Sequence, residues 1–278
     1  MRTEDALGAC EETVRRHDPD RYFASLFAPV ARRPFLFALY AFNYEIARVP
    51  ERSREPMLGA VRLQWWREAV ELAREGRPRA HPAAVGLAAL FAQTSPPQTL
   101  FGALIEAREF DLVPDSFADL RALETYCDAT SAGLMRIAAW VANGESGSDP
   151  FLRHAGSGYA MAGILRAIPF HAARRKCYLP LDMLAAEKLT PDEIFAGRNI
   201  SSLKRVMDRL GRVAREHIRS ARGEAAGTSL AAALPAALAP LYLKRVTRAA
   251  FDPFRDESAV PLFRRQLALL QAAMFGRL

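Results

Sequence analysis

Two stretches concentrate the side chains able to do chemistry. The first, 39–51 (LYAFNYEIARVPE), carries Tyr40, Asn43, Glu45, Arg48 and Glu51, and the second, 164–180 (ILRAIPFHAARRKCYLP), carries Arg166, His171, Arg174, Arg175, Lys176 and Tyr178. Cations dominate the second. Guanidinium groups grip phosphate through paired hydrogen bonds, so His171 with Arg166, Arg174, Arg175 and Lys176 could form an anion pocket that needs no metal. Against this, helix geometry spreads those positions over different faces. Glu45 sits among apolar neighbours, where an unpaired carboxylate is expensive to bury, and is expected to find an arginine as a structural partner. Trp65 and Trp66 read as core and rim. His17, His81, His154 and His217 have no partner at metal-like spacing and read as ordinary. Cys10, Cys127 and Cys177 are odd in number and too far apart for a metal knuckle, which suits a reducing compartment.

The elements that must position these residues are helical. The chain has 278 residues, half of them hydrophobic and a quarter charged, enough for one large domain with a real core. Alanine, leucine and arginine dominate, and strand-like alternation is absent, so the expected class is all-α. Segment 34–49 is apolar nearly all round, as a central buried helix would be, with Pro34 in its first turn. Further helices are expected at 55–75, 83–93, 97–110 (opened by the TSPP cap), 151–175, 201–222, 230–250 and 260–275, with a short one opening at TPDE. Segment 119–143 reads as one long helix or as two relieved at Gly133. NGESGSDP is the clearest loop, and no repeat or interdomain linker interrupts the single domain 1–278, in which 1–19 is set apart as an N-terminal extension and 260–278 as a C-terminal amphipathic helix.

A net charge of +7, almost wholly from arginine, suits an acidic partner such as anionic lipid or a diphosphate, although a solvated arginine face accounts for it equally well. Nucleic acid is the poorest candidate, since no zinc-finger spacing or basic run interleaved with aromatics occurs. The longest apolar run, 230–243, is broken by Pro235 and Pro240 and falls short of the roughly 20 residues a spanning helix needs, so a soluble or peripheral protein is expected. LGAC at 7–10 lacks the preceding basic and apolar segments of a lipoprotein signal. The C-terminal PLYLKRVTRAAFDPF and PLFRRQLALLQAAMF mix arginine with leucine and phenylalanine as interfacial helices do. Packing on the bundle competes with that reading for the first, and the last helix is the better membrane or partner candidate.

YFASLFAPVARRPFLFALYAFNYEI, RLQWWREAVE, LIEAREFDL, YCDATSAGLM and ILRAIPFHAARRKCYLPLDML occur in the order and spacing of the squalene and phytoene synthases, and the chain resembles that family from about Asp20 to its C-terminus. The resemblance implies an all-α isoprenoid synthase bundle around a central cavity, with Tyr22, Tyr40, Asn43, Glu45 and Tyr178 lining or approaching it. It also implies magnesium held between acids on two facing helices, the arrangement that stabilises a departing diphosphate. Here the positions of the first acidic motif hold Ala47, Arg48 and Glu51, and those of the second hold Ala167, Phe170 and His171. Proline at position 50 biases Val49 away from helix, leaving Glu51 without a defined inward direction, and Pro169 should kink the second helix. Asp111 matches an acid of the synthases, and reads either as a relic of the cavity or as a helix-end acid before Pro114.

Alanine and phenylalanine offer magnesium no oxygen, and Arg48 repels it, so the expectation is a protein without catalytic residues, metal or other cofactor. Magnesium belongs only to the alternative, a prenyltransferase joining isoprenoid diphosphates head to head; a third alternative is an isoprenoid or lipid-binding protein. AFNYEIA, RLQWWREAVE, LIEARE and GILRAIPFHAARRKCYLP are similar to the respiratory complex I assembly factor 6 branch. That resemblance implies a pseudoenzyme whose partner is a complex I subunit or assembly intermediate, with an anionic membrane surface or isoprenoid-like lipid as further partners. The N-terminus, with Glu4, Asp5, Glu11 and Glu12, does not read as a transit peptide, so a bacterial cytoplasmic protein, peripheral on the inner face of the membrane, is expected.

Overall fold

The computed structural model describes residues 1–53, 55–147, 149–224, 226–227 and 230–278. Among these there is no strand, and the chain is a bundle of helices. In chain order it begins with α1 (Thr3–His17), α2 (Pro19–Ser25), α3 (Arg33–Ala47), the single turn α4 (Val49–Arg52), α5 (Pro56–Arg74) and α6 (Pro82–Gln93). Residues 1–19, set apart above as an extension, belong to the bundle: Ala6, Cys10 and Val14 repeat at helical spacing, are buried, and pack α1 on α3 and α6. Helix α3 is the central one. Leu36, Phe37, Leu39, Phe42 and Ile46 are all buried, each contributing about 1.5–3 kcal/mol on leaving water.

The chain continues with α7 (Gln98–Ala107), a 3₁₀ segment Arg108–Leu112, α8 (Leu120–Cys127), a π turn Asp128–Ala132 and α9 (Gly133–Asn143). Segment 119–143 is therefore nearly continuous, widened rather than broken ahead of Gly133. Then come α10 (Asp149–Arg166), α11 (Ile168–Ala172), α12 (Leu181–Ala186), α13 (Pro191–Phe195) and the long α14 (Ile200–Gly223). Thr190 and Glu193 close a reciprocal capping box at the start of α13. Helices α10 and α14 approach closely because Gly158 has no side chain: a Cβ there would lie 2.7 Å from Ile218 Cδ1 and 3.0 Å from the Ala214 carbonyl oxygen. Gly156 gives the π turn the same access at Ala132.

The expected helix 230–250 is instead three pieces, α15 (Leu230–Ala233), a 3₁₀ segment Leu234–Leu238 and α16 (Ala239–Val246). Pro235 and Pro240 each lack the N–H that an uninterrupted α-helix requires, and each sits in the first turn of a new piece. The chain ends in α17 (Leu262–Phe275). Only Leu269 and Ala272 of α17 are buried, while Leu262, Phe263, Leu267, Leu270, Met274 and Phe275 are exposed. No helix among the described residues is long and apolar enough to cross a membrane.

Candidate functional site

Two helix breaks face each other across a cavity of about 930 Å³. Helix α3 stops at Arg48, whose φ of −91° and ψ of 2° leave the helical region, and the chain restarts as α4 with Pro50 in the first turn. Helix α10 ends in the same way at Ala167 (φ −93°, ψ 7°) and restarts as α11 with Pro169 in the first turn. Proline cannot continue either helix but fits the start of the next. Pro50 therefore does not divert Glu51, as the sequence reading had it; the new turn carries Glu51 to the cavity, together with Ala47. Ala167, Phe170 and His171 line the opposite wall.

Of the other residues singled out in sequence, Asn43, Asp111, Arg166, Arg174, Arg175, Lys176 and Tyr178 line the cavity, whereas Tyr22, Tyr40, Glu45 and Arg48 do not. Tyr22 stacks on Phe37. Tyr40 is buried beneath the Arg21 guanidinium, and burial pushes its phenol up to about 12. Glu45 turns behind the wall to meet Arg52 at 3.2 Å and Arg48 at 3.7 Å. Arg48 also lies over the Tyr44 ring, so its charge is directed away from the cavity.

The cluster of cations read as an anion pocket is divided among other duties. Lys176 donates to three carbonyl oxygens, of Phe110 and Val113 at 2.7 Å and Asp115 at 2.9 Å, which pins the loop after the 3₁₀ segment. Burial still pulls its ammonium down to about 8, partly offset by Asp111 and Asp115. Arg175 pairs with Asp192 in solvent, 2.7 Å away. Arg166 stacks on the Tyr242 ring, 3.6 Å from its centre, and leans toward Asp20 at 3.9 Å. His171 is driven down to about 4 by burial and then by Arg174 and Lys176, so it is neutral near pH 7. Arg174, stacked over Phe170, forms no ion pair among the described residues. Sequence proximity brought these cations together; separate partners on different helices draw them apart.

Asp111 is buried and fully engaged. It accepts from Tyr178 at 2.7 Å, from Tyr126 at 2.9 Å and from Arg108 at 3.3 Å. Burial, reinforced by the Asp111 charge, raises the Tyr178 phenol far above its ordinary range. Sequence reading missed several further lining residues. Arg21 lies between the rings of Tyr40 and Tyr159 and pairs with Asp18 at 2.6 Å. Asp18 caps α2 from the DPD turn, and His17 stacks on Tyr44. Ser131 lines the cavity from within the π turn. Behind the wall, Asp20 accepts from Tyr242 and Arg265 and so ties α2 to α16 and α17.

His154 and His217, read as ordinary, meet across α10 and α14 with their Nδ1 atoms 3.0 Å apart, and His217 Nε2 lies 3.1 Å from Glu124. His81 caps α6 by accepting from the Ala83 N–H. The spacing of 63 residues between His154 and His217 carries no local signal.

Three carboxylates line the cavity, those of Asp18, Glu51 and Asp111. Asp18 and Asp111 are committed to arginines and tyrosines, which leaves Glu51, and magnesium demands near-octahedral oxygen. Among the described residues no group of three or more His, Cys, Asp or Glu side chains is placed to hold a metal.

Comparison with known proteins gives this geometry its relatives. The sequence model of the family Squalene/phytoene synthase matches residues 14–268. The chain is 28% identical over 250 residues to NADH dehydrogenase (ubiquinone) complex I, assembly factor 6 of Rattus norvegicus, covering 88% of this chain and 75% of that one. It is 27% identical over 198 residues to phytoene synthase of Thermus thermophilus, covering 71% and 67%. A crystal structure of a dehydrosqualene synthase superposes with a TM-score of 0.81 at 15% identity over 98% of this chain and 97% of that one, which shows the isoprenoid synthase fold.

Proposed function

Since the chain belongs to the squalene/phytoene synthase family, in its complex I assembly factor 6 branch, we propose that it acts in assembly of respiratory complex I without catalysing a reaction, by binding a subunit or an assembly intermediate. One observation supports the absence of catalysis: at the two facing helix ends Glu51 holds the one carboxylate at the cavity, and Ala47, Ala167, Phe170 and neutral His171 stand on the walls where the resemblance would place acids. Ionising a diphosphate without bridging cations leaves several negative charges uncompensated in a semi-enclosed cavity.

The protein acts at the inner face of a bacterial cytoplasmic membrane, as a peripheral protein. Support comes from the exposed apolar side chains of α17 beside the exposed Arg264, and from the net charge of +7. Head-to-head prenyl coupling is the alternative, favoured by the size of the cavity and the likeness to phytoene synthase.

Deleting the gene and measuring assembled complex I, NADH-linked quinone reduction and squalene and carotenoid levels separates the two. Loss of complex I with unchanged isoprenoids is the expected result. Normal complex I with a missing isoprenoid product overturns the assembly role in favour of catalysis.

A further inference from the structure

Apart from the central cavity, a groove of about 440 Å³ runs between α14 and α16. Its two walls are stripes of the same helical period. Arg215, Ile218, Arg219 and Arg222 come from α14, at spacings of three and four that place side chains on one face. Pro240, Leu243 and Lys244 of α16, with Thr247 at its end, follow the same spacings. Ile218 and Leu243 are buried and form the floor, and no acid occurs among the described lining residues. The central cavity differs, since its cations meet Asp18 and Asp111.

The cations of the groove are loosely engaged. Arg219 pairs with Glu216, but both side chains are exposed and such a pair contributes little. Arg222 Nε donates to the Leu278 backbone oxygen at 2.8 Å, and the exposed Lys244 forms no ion pair among the described residues. Arg215 donates through Nη2 to Thr247 Oγ1 at 2.7 Å, while its Nη1 is buried without a partner. Every other arginine with an unpaired buried nitrogen among the described residues misses at Nε; Arg215 misses at the terminal fork. A buried N–H is nearly always paired, and that fork matches the oxygens of a phosphate. Turning the guanidinium into the groove leaves no carboxylate behind, and the Thr247 hydroxyl still donates to the Leu243 carbonyl oxygen at 2.7 Å.

The surroundings decide which phosphate. The Arg222–Leu278 contact sets the chain end after α17 beside the groove, and Met274 and Phe275 in the last turn of α17 are 70% and 68% exposed. A basic groove next to an exposed apolar helix suits an anionic bilayer. We propose that the α14–α16 groove binds the phosphate of an anionic phospholipid through Arg215 and Lys244, with the lipid's apolar part against Ile218, Pro240 and Leu243. The inference rests on the peripheral membrane reading and gives it a head-group site.

Two measurements on the purified full-length protein test it. In flotation, vesicles of phosphatidylcholine and phosphatidylglycerol in equal parts are expected to bind wild type more tightly than vesicles of phosphatidylcholine alone. Lys244→Gln and Arg215→Gln are each expected to weaken that binding about 10-fold, the worth of a charge-assisted hydrogen bond. Arg121→Gln, which removes an exposed charge on α8, should change it less than about 2-fold. In calorimetry, dihexanoyl-phosphatidylglycerol below its micelle-forming concentration is expected to bind at least about 10-fold more tightly than inorganic phosphate, because only the lipid covers the apolar floor. Lys244→Gln should keep the wild-type thermal midpoint, so its loss of binding is not a loss of fold.

Equal effects of all three substitutions overturn the proposal. So does inorganic phosphate that binds as well as the lipid, or a lipid that does not bind in calorimetry. Tetraglutamate that binds more tightly than the lipid assigns the groove to an acidic peptide and overturns it too. Failure of wild type to float with either vesicle defeats the peripheral reading instead, and the calorimetric titration reads the groove without any bilayer.

Discussion

The two helix breaks that face each other across the cavity are built alike and dispose of charge differently. At the α3–α4 break the charge is kept but redirected: Arg48 turns back to Glu45 and the Tyr44 ring, and Glu51 remains at the cavity. At the α10–α11 break no carboxylate stands on the wall: Ala167, Phe170 and a neutral His171 line it beside Arg166 and Arg174, the latter forming no ion pair among the described residues. A bridging cation needs oxygens from both sides. One wall that keeps a carboxylate cannot compensate for another that has none, so the second break decides what the cavity can hold.

The comparison is broken most forcefully at Asp111, which lines the same cavity. If this carboxylate is structural, Asp111→Ala leaves the buried Arg108 unpaired and is expected to destabilise the fold by about 3–5 kcal/mol in urea unfolding. A loss below about 1 kcal/mol would return Asp111 to the class of spare ligands.

His171 gives the next largest effect, through pH. Its folded pKa lies near 4, below the unfolded value of about 6.5, so the unfolded chain binds the proton first as pH falls. The stability contribution is fully present above pH 6.5 and is lost between there and pH 4, up to about 3 kcal/mol. His171→Phe should flatten the unfolding free energy across that window; an unchanged slope means that other groups govern it.

The smallest effect belongs to Glu51. Glu51→Gln should change stability by no more than about 0.5 kcal/mol, because this carboxylate forms no ion pair among the described residues. A larger loss, seen in the same urea experiment, would give the first wall a structural role that its geometry lacks.

Much of this arrangement was legible before the structure. That Ala47, Ala167, Phe170 and His171 carry no carboxylate is plain in sequence, and the prolines at 34 and 191 mark helix starts because their physical effect is local, whereas Pro169, read as a kink within 151–175, stands in the first turn of a new helix. The TPDE cap appears as written. What sequence could not show depends on contacts between distant segments. Lys176 reads as one more cation in a basic run until the loop at 110–115 folds around its ammonium. Asp20 and Arg265 lie 245 residues apart yet share an ion pair, and the His154–His217 contact likewise depends on α10 and α14 closing on each other at Gly158. The burial of α1 follows a clear apolar stripe at Ala6, Cys10 and Val14, passed over in the sequence reading because the family resemblance begins near Asp20.

The central claim is that the cavity has no place for magnesium diphosphate, and calorimetric titration of the purified protein with farnesyl diphosphate tests it most directly, with and without magnesium. The account predicts no heat that depends on magnesium. Tight binding that appears only with magnesium, and that Glu51→Gln abolishes, would contradict it.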